Sequence, residues 1–240
     1  AASDVYKRQV SGRPLRIAVP KGSLKDDTIA ALEAVGIDAS GLRNPGRHLI
    51  IRTRDTREGE GAIGPVELVI VRATDAPAFV ALGGTDCGIC GRDSLIEADL
   101  DLLQLVDLAY GACRFIEAEP AGRAEATKRS YARRGCLRVA TKYPRIASAW
   151  YEERGVNAEV VALHGNIELG PIVGLADRIV DITATGTTLR ENDLVITGEL
   201  MTCTARFFAN PGRARLDPRV RELARRLAAW RDESACDDAH

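Results

Sequence analysis

Short runs rich in valine and isoleucine alternate with stretches of helical spacing along most of this 240-residue chain. That alternation limits the fold more than any other feature, because strands separated by helices assemble into largely parallel α/β sheets. Candidate strands before residue 120 lie at 16–19, 48–52, 68–71, 87–90, 102–106 and 114–118. Later ones lie at 137–141, 159–163, 178–183 and 194–198, with a last at 206–209. Leu24, Thr28, Leu32 and Val35 recur at helical spacing, and Gly36 supplies a stop. The stretch 144–154 reads as a second helix with Ile146, Ala149 and Trp150 on one face. Asp217 and Pro218 open a last helix, with a stripe of Val220, Leu223, Leu227 and Trp230. Its other face carries Arg219, Arg221, Arg225, Arg226 and Arg231, an arrangement expected to be solvated or to meet a partner.

The polar stretch 119–135 reads as a linker that divides the strands into two α/β lobes, with a ligand cleft expected between them. Residues 1–12 do not lead into the first strand and are expected to be a leader, and 231–240 a disordered tail. Net charge is −1, so any polyanion must be met by a local cluster rather than by a global field. No apolar run approaches the roughly 20 residues that span a bilayer. The six cysteines, in a chain without an apolar signal region, suggest reduced thiols and a cytoplasmic location. Cys87 and Cys90 form a close pair, yet only three histidines exist and no second ligand pair stands nearby. Buried small residues are the plainer reading of that pair than a metal site.

"DITATGTTLREN", residues 181–192, breaks a buried run into a small, hydroxyl-rich turn. Backbone N–H groups and hydroxyls there can hold a phosphate, with Asp181 reserved for a ribose hydroxyl or a metal ion. An ordinary strand–turn–helix junction with a threonine cap would look the same. "VPKGSL" places Lys21 and Gly22 at a strand end, and "ATKYP" repeats the arrangement with Lys142 and Tyr143. Residues 71–93 offer Arg72 and Asp93, and Glu168 sits in a stretch too irregular for a plain helix. No Ser/His/Asp set or Cys–His pair emerges. The inventory suits phosphorylated substrates with Mg²⁺ better than hydrolysis by a nucleophilic side chain.

Taken in order, "VPKGSL", "DCGICGRD", "VATKYPRIA", the stretch around Glu168 and "GLADRIVDITATGTTLREN" resemble the ATP phosphoribosyltransferases that open histidine biosynthesis. The resemblance runs from about Leu15 to Leu227. It implies a two-lobed fold like that of type II periplasmic binding proteins, with the active site in the cleft. Lobe I would be 13–113 plus 205–230, and lobe II 114–204. The implied reaction joins N1 of the ATP adenine to C1 of phosphoribosyl diphosphate and releases pyrophosphate.

By the same resemblance, Thr185, Gly186, Thr187 and Thr188 would hold the 5-phosphate, Thr183 and Ala184 would also touch phosphoribosyl diphosphate, and Asp181 would accept from the ribose hydroxyls. Lys21, Arg47 and Arg72 would neutralise the pyrophosphate with Mg²⁺, while Glu168 and Asp181 are the candidate metal ligands. Lys21, Gly22, Asp93, Lys142 and Tyr143 are candidates to touch the nucleotide. His164-Gly165-Asn166 replaces the family's usual Asn-Gly-Ser, Gly170 its usual alanine, and Ser23 an arginine of some relatives. The pattern after Trp230 implies the short form, which works with a subunit resembling the core of histidyl-tRNA synthetase. Two other readings stand beside this one: a nucleobase phosphoribosyltransferase, and a non-catalytic solute-binding module on the same fold.

Overall fold

The computed structural model describes residues 13–183 and 186–237. The expected leader, 1–12, lies outside the described residues. The chain divides into two compact units: residues up to Gly111 with those from Thr204 onward, and Ala112–Cys203.

The first unit holds a six-stranded sheet in the order β2-β3-β1-β4-β11-β5. Its strands are β1 (Leu15–Lys21), β2 (Ile50–Arg54), β3 (Pro65–Arg72), β4 (Cys87–Gly91), β5 (Leu103–Asp107) and β11 (Ala205–Ala209). β1 runs parallel to both β3 and β4, whereas β2, β11 and β5 join antiparallel. Alternation sorts β1 between two cores. Leu15, Ile17 and Val19 pack with Leu32 of α1 (Lys25–Ala34) and with the last helix; Ala18 faces Val80, Leu95 and Phe208. Val80 comes from α2 (Ala76–Ala81) and Leu95 from α3 (Arg92–Ala98).

The second unit holds β6 (Cys113–Pro120), β7 (Leu137–Thr141), β8 (Ala158–Ala162), β9 (Arg178–Thr183) and β10 (Leu194–Cys203), in the order β10-β6-β9-β7-β8. β9, β7 and β8 are parallel; β6 and β10 are antiparallel additions. Ile116, Ala118, Ala140 and Ile179 pack with Ile167 and Leu189 on one face. At the start of β9, Arg178 Nε donates to Glu119 at 2.9 Å and its Nη1 to Glu117 at 3.1 Å. Thr197 Oγ1 donates to Glu117 at 2.8 Å, and the Tyr151 hydroxyl donates to the same carboxylate. This buried network ties β6, β9, β10 and α5 (Pro144–Glu153) together at the end of β9 opposite Asp181.

Every expected strand overlaps an observed one, but three expectations change. Residues 119–135 are not a plain linker, because Ala124–Arg134 form helix α4, closed by Gly135 in the left-handed conformation. Alanine, glutamate, lysine and arginine are strong helix formers, and only Thr127 of this helix is buried, so no apolar stripe announced it. The last helix does not stop at Trp230. After α6 (Leu169–Ile172), α7 (Thr187–Glu191) and α8 (Pro211–Leu216), α9 runs from Pro218 to Asp237. Nor is the arginine face of α9 simply solvated. Arg226 is 4 % exposed, bonds the buried Asp55 carboxylate at 2.9 Å and donates to the Val35 and Gly61 carbonyls. Arg219 pairs with Asp217 at 2.7 Å and reaches the Arg13 carbonyl. Arg225, by contrast, meets only Glu222 one turn back, out in solvent.

Cys87 and Cys90 are both buried in β4, three residues apart on a strand, and so face opposite cores. Burial pushes both thiols well up, the neighbouring Asp86 and Asp93 adding to it. That arrangement suits packing. No described helix is long and apolar enough to cross a membrane.

Candidate active site

In each unit the candidate residues gather where parallel strands end. β1 ends at Lys21 and β3 at Arg72, and these two are register partners across the ladder. Both side chains are exposed. β4 ends at Gly91, two residues before Asp93 in the first turn of α3. In the second unit β7 ends at Thr141 just before Lys142, and β9 carries Asp181 two residues from its end. β8 ends at Ala162 and leads through His164 to Glu168. Strand carboxyl ends are where open α/β sheets place ligands, because the loops that follow can present backbone N–H groups and side chains together.

Thr141 pairs with Val180 in the parallel ladder, so Lys142 and Asp181 follow at the same level. Asp181 accepts the Ile182 amide at 2.8 Å. Burial raises its carboxyl above the usual carboxylate value; the Ile182 amide and the Lys142 charge oppose that, and the Glu168 charge adds to it. Glu168 precedes the four-residue α6 without a side-chain capping bond, and Gly170 of that helix lies against β7. A Cβ at Gly170 would stand 2.8 Å from that of Ala140, so the departure from the family's usual alanine has a local steric cause.

Ala184 and Thr185, two of the residues expected to touch phosphoribosyl diphosphate, lie outside the described residues. Gly186 has φ +71° and donates its amide to Thr183 Oγ1 at 2.8 Å. Thr187 and Thr188 open α7 with exposed side chains. Sequence reasoning missed Arg190, one turn into that helix. Its Nη2 donates to Thr187 Oγ1 at 3.2 Å, and its Nη1 lies 3.5 Å from where a Cβ on Gly186 would be. The i, i+3 and i, i+4 spacing from Thr187 and Gly186 was the available signal.

The first unit holds a cavity of about 240 Å³ lined by Lys21, Lys25, Thr28, Pro45, Gly46 and His48 among others. Arg47 sits in the same loop with an exposed side chain, and does not line the cavity. Gly22, at φ +92°, has open space where a Cβ would go, so its role is in the backbone turn. Asp93 is buried, with its carboxyl raised by burial and held down by the Ser94 amide. Its Oδ1 would lie 2.0 Å from a Cβ on Gly91, which explains why glycine ends β4. The Tyr143 ring is buried edge-on against Phe115, 4.8 Å between centroids, while its amide donates to Thr141 Oγ1 at 2.9 Å.

A family model described as "HisG: ATP phosphoribosyltransferase" matches residues 72–229. An ATP phosphoribosyltransferase of Rubrobacter xylanophilus is 48 % identical over 204 residues, 85 % of this chain and 90 % of that protein. The chain belongs to the ATP phosphoribosyltransferase family. It is accordingly a transferase of the pentosyl class. The structure named "ATP phosphoribosyl transferase (HisG:HisZ) complex from Thermotoga maritima" is 30 % identical with a TM-score of 0.71, over 92 % of this chain and 98 % of that one. A structure of Tv2483 bound to L-arginine, 14 % identical, reaches a TM-score of 0.55 over 98 % of this chain and 91 % of that one, a likeness of fold alone. The expected α/β fold of the type II binding-protein kind is therefore present.

Proposed function

We propose that this transferase joins N1 of the ATP adenine to C1 of phosphoribosyl diphosphate and releases pyrophosphate, the first step of histidine biosynthesis. One observation carries the assignment of roles: Asp181 on β9 stands level with Lys142 at the end of β7, beside the turn that Gly186 closes onto Thr183.

On this reading the Gly186 turn, with Thr187, Thr188 and the adjacent Arg190, holds the 5-phosphate through hydroxyls, a guanidinium and backbone donors. Asp181 accepts from the ribose hydroxyls and keeps the ring in place as C1 gains positive charge. Glu168 lies close enough to act on the Asp181 carboxylate, so it adds negative charge near that developing cation. Lys21 and Arg72, side by side at their strand ends, are the cations proposed to neutralise the departing pyrophosphate. Adenine N1 carries a free lone pair, so attack needs positioning rather than a strong base.

Mg²⁺ fits this donor set. Among the described residues no group of three or more acidic, histidine or cysteine side chains is placed to hold a metal ion, but Asp181 feels the charge of Glu168. Magnesium commonly takes one or two carboxylates and completes its shell with substrate phosphates and water. When bound, it would neutralise part of the pyrophosphate charge, with Asp181 and Glu168 as its protein ligands.

We further propose a cytoplasmic hetero-oligomer with a regulatory subunit resembling histidyl-tRNA synthetase. The support is the Thermotoga chain, 98 % covered by this one and named as part of a HisG:HisZ complex. The test is pyrophosphate release from ATP, phosphoribosyl diphosphate and Mg²⁺, with and without that partner. Release with ATP, and none when adenine or guanine replaces it, is expected. Turnover of a free nucleobase would favour a nucleobase transferase, and ligand binding without release a solute-binding module. Added histidine is expected to slow only the complex.

A further inference from the structure

We propose that Cys113 and Cys203 form a thiol–disulfide exchange site that takes small-molecule disulfides as its oxidant. The two residues are direct register partners in the antiparallel ladder of β6 and β10. Opposed residues in such a ladder leave the same face of the sheet with Cα atoms about 4.5–5.5 Å apart. A disulfide accepts Cα separations of about 4.4–6.8 Å, so the bond can close without moving either strand from its register. Both residues carry thiols in the structure.

Their exposures differ in a way that fixes the order of events. Cys113 is partly exposed, whereas Cys203 is 1 % exposed. Cys113 thiolate attacks one sulfur of the small disulfide, forming a mixed disulfide and releasing one small thiol. Cys203 then gives up its proton and attacks the Cys113 sulfur, forming the protein disulfide and releasing the second small thiol. Two protein thiols are oxidised and one small disulfide is reduced to two thiols, so the exchange balances.

The other cysteines with described side chains make this pair distinct. Cys87 and Cys90 are buried on opposite faces of β4, with their thiols pushed well up. Cys136 is partly exposed just before β7, with no described cysteine opposed to it in a ladder. The location also gives the bond a consequence. The chain passes between its two units after Gly111 and after Cys203, so the disulfide would fasten the entering strand to the leaving one. Arg114, next along β6, is in turn the register partner of Thr183, where β9 gives way to the Gly186 turn.

The experiment uses the reduced full chain, oxidised glutathione, alkylation of the remaining thiols and peptide mapping. The expected product is a peptide linking Cys113 to Cys203 within one chain, about 2 Da lighter than its reduced parts and restored by dithiothreitol. Cys203→Ser should halt the reaction at a stable glutathione adduct on Cys113. Cys113→Ser, at the more exposed position, should leave Cys203 unmodified. Full alkylation of both cysteines in the treated wild-type chain would overturn the proposal, as would a bond from Cys113 to Cys136 or to a second copy.

Discussion

Lys21 and Arg72 stand side by side as the last residues of two parallel strands, two exposed cations in direct register. Like charges at neighbouring strand positions repel, and no ion pair offsets either among the described contacts. Such a pair is useful if an anion supplies the missing charge.

Arg72→Ala should therefore leave folding stability unchanged or slightly raised, and should weaken turnover. Loss of one hydrogen bond to a charged group is worth roughly 1.5–3 kcal/mol, or about a 10- to 100-fold fall in kcat/KM. Lys21→Ala should behave alike, and the double variant should lose less than the sum of the two. Steady-state pyrophosphate release checks this; wild-type rates in Arg72→Ala would remove the residue from the reaction.

Asp181 predicts a pH effect with a definite sign. Burial raises its carboxyl above the ordinary value, so on raising the pH the unfolded chain releases this proton first. The group's contribution to stability is then full below the unfolded value of about 4 and is lost as pH climbs through the folded one. At pH 7 the ionised side chain costs stability. Asp181→Asn should unfold in urea at an equal or higher midpoint than wild type at pH 7, with the gap closing in acid, while pyrophosphate release falls by about 10-fold or more. A lower midpoint at pH 7 would point to a structural carboxylate instead.

Arg226 predicts the reverse pattern. It is buried, bonded to Asp55, Glu222 and two backbone carbonyls. Burial alone would raise the Asp55 carboxyl, yet the Arg226 bonds and the Ile63 and Arg57 amides hold it below its usual value. That stabilisation is present above the unfolded carboxylate value and is lost as pH falls through the folded one. Arg226→Ala should cost about 3–5 kcal/mol, because it leaves Asp55 buried and unpaired. Arg225→Ala, which breaks only an exposed pair with Glu222, should cost under about 1 kcal/mol. Urea unfolding of both variants separates the two arginines that one helix face presents.

That contrast shows what the sequence could and could not say. Strands were legible because short apolar runs such as 137–141 and 178–183 bury adjacent residues, Val139 and Ala140 in one and Ile179 and Val180 in the other, and so both faces. Helix α4 was not, since its residues favour a helix by propensity and bury only Thr127. Among the five arginines of α9, nothing local distinguishes Arg226; its partner Asp55 is 171 positions away. The candidate site was legible as a set of strand-end residues, but its neighbourhoods were not. That Lys142 and Glu168 both act on Asp181, and that Tyr143 turns its ring toward Phe115, depend on the register of β7 with β9 and on core packing.

Gly186 offers the sharpest test of the turn. Its φ of +71° lies where a β-branched side chain is strained, and a Cβ there would come within 3.5 Å of the Arg190 guanidinium. Gly186→Val should cost about 1–3 kcal/mol locally and push Arg190 off Thr187. The strain falls on Gly186 and Arg190, the groups proposed to hold the 5-phosphate, which ATP does not carry to this turn. Phosphoribosyl diphosphate should therefore bind about 10- to 100-fold more weakly, and ATP nearly as before. Gly186→Ala, which fills the same space with one carbon, should fall between the variant and wild type. Calorimetric titration of each ligand into each protein decides the matter: equal losses for both ligands would mean that the turn supports the fold of its unit and holds no phosphate.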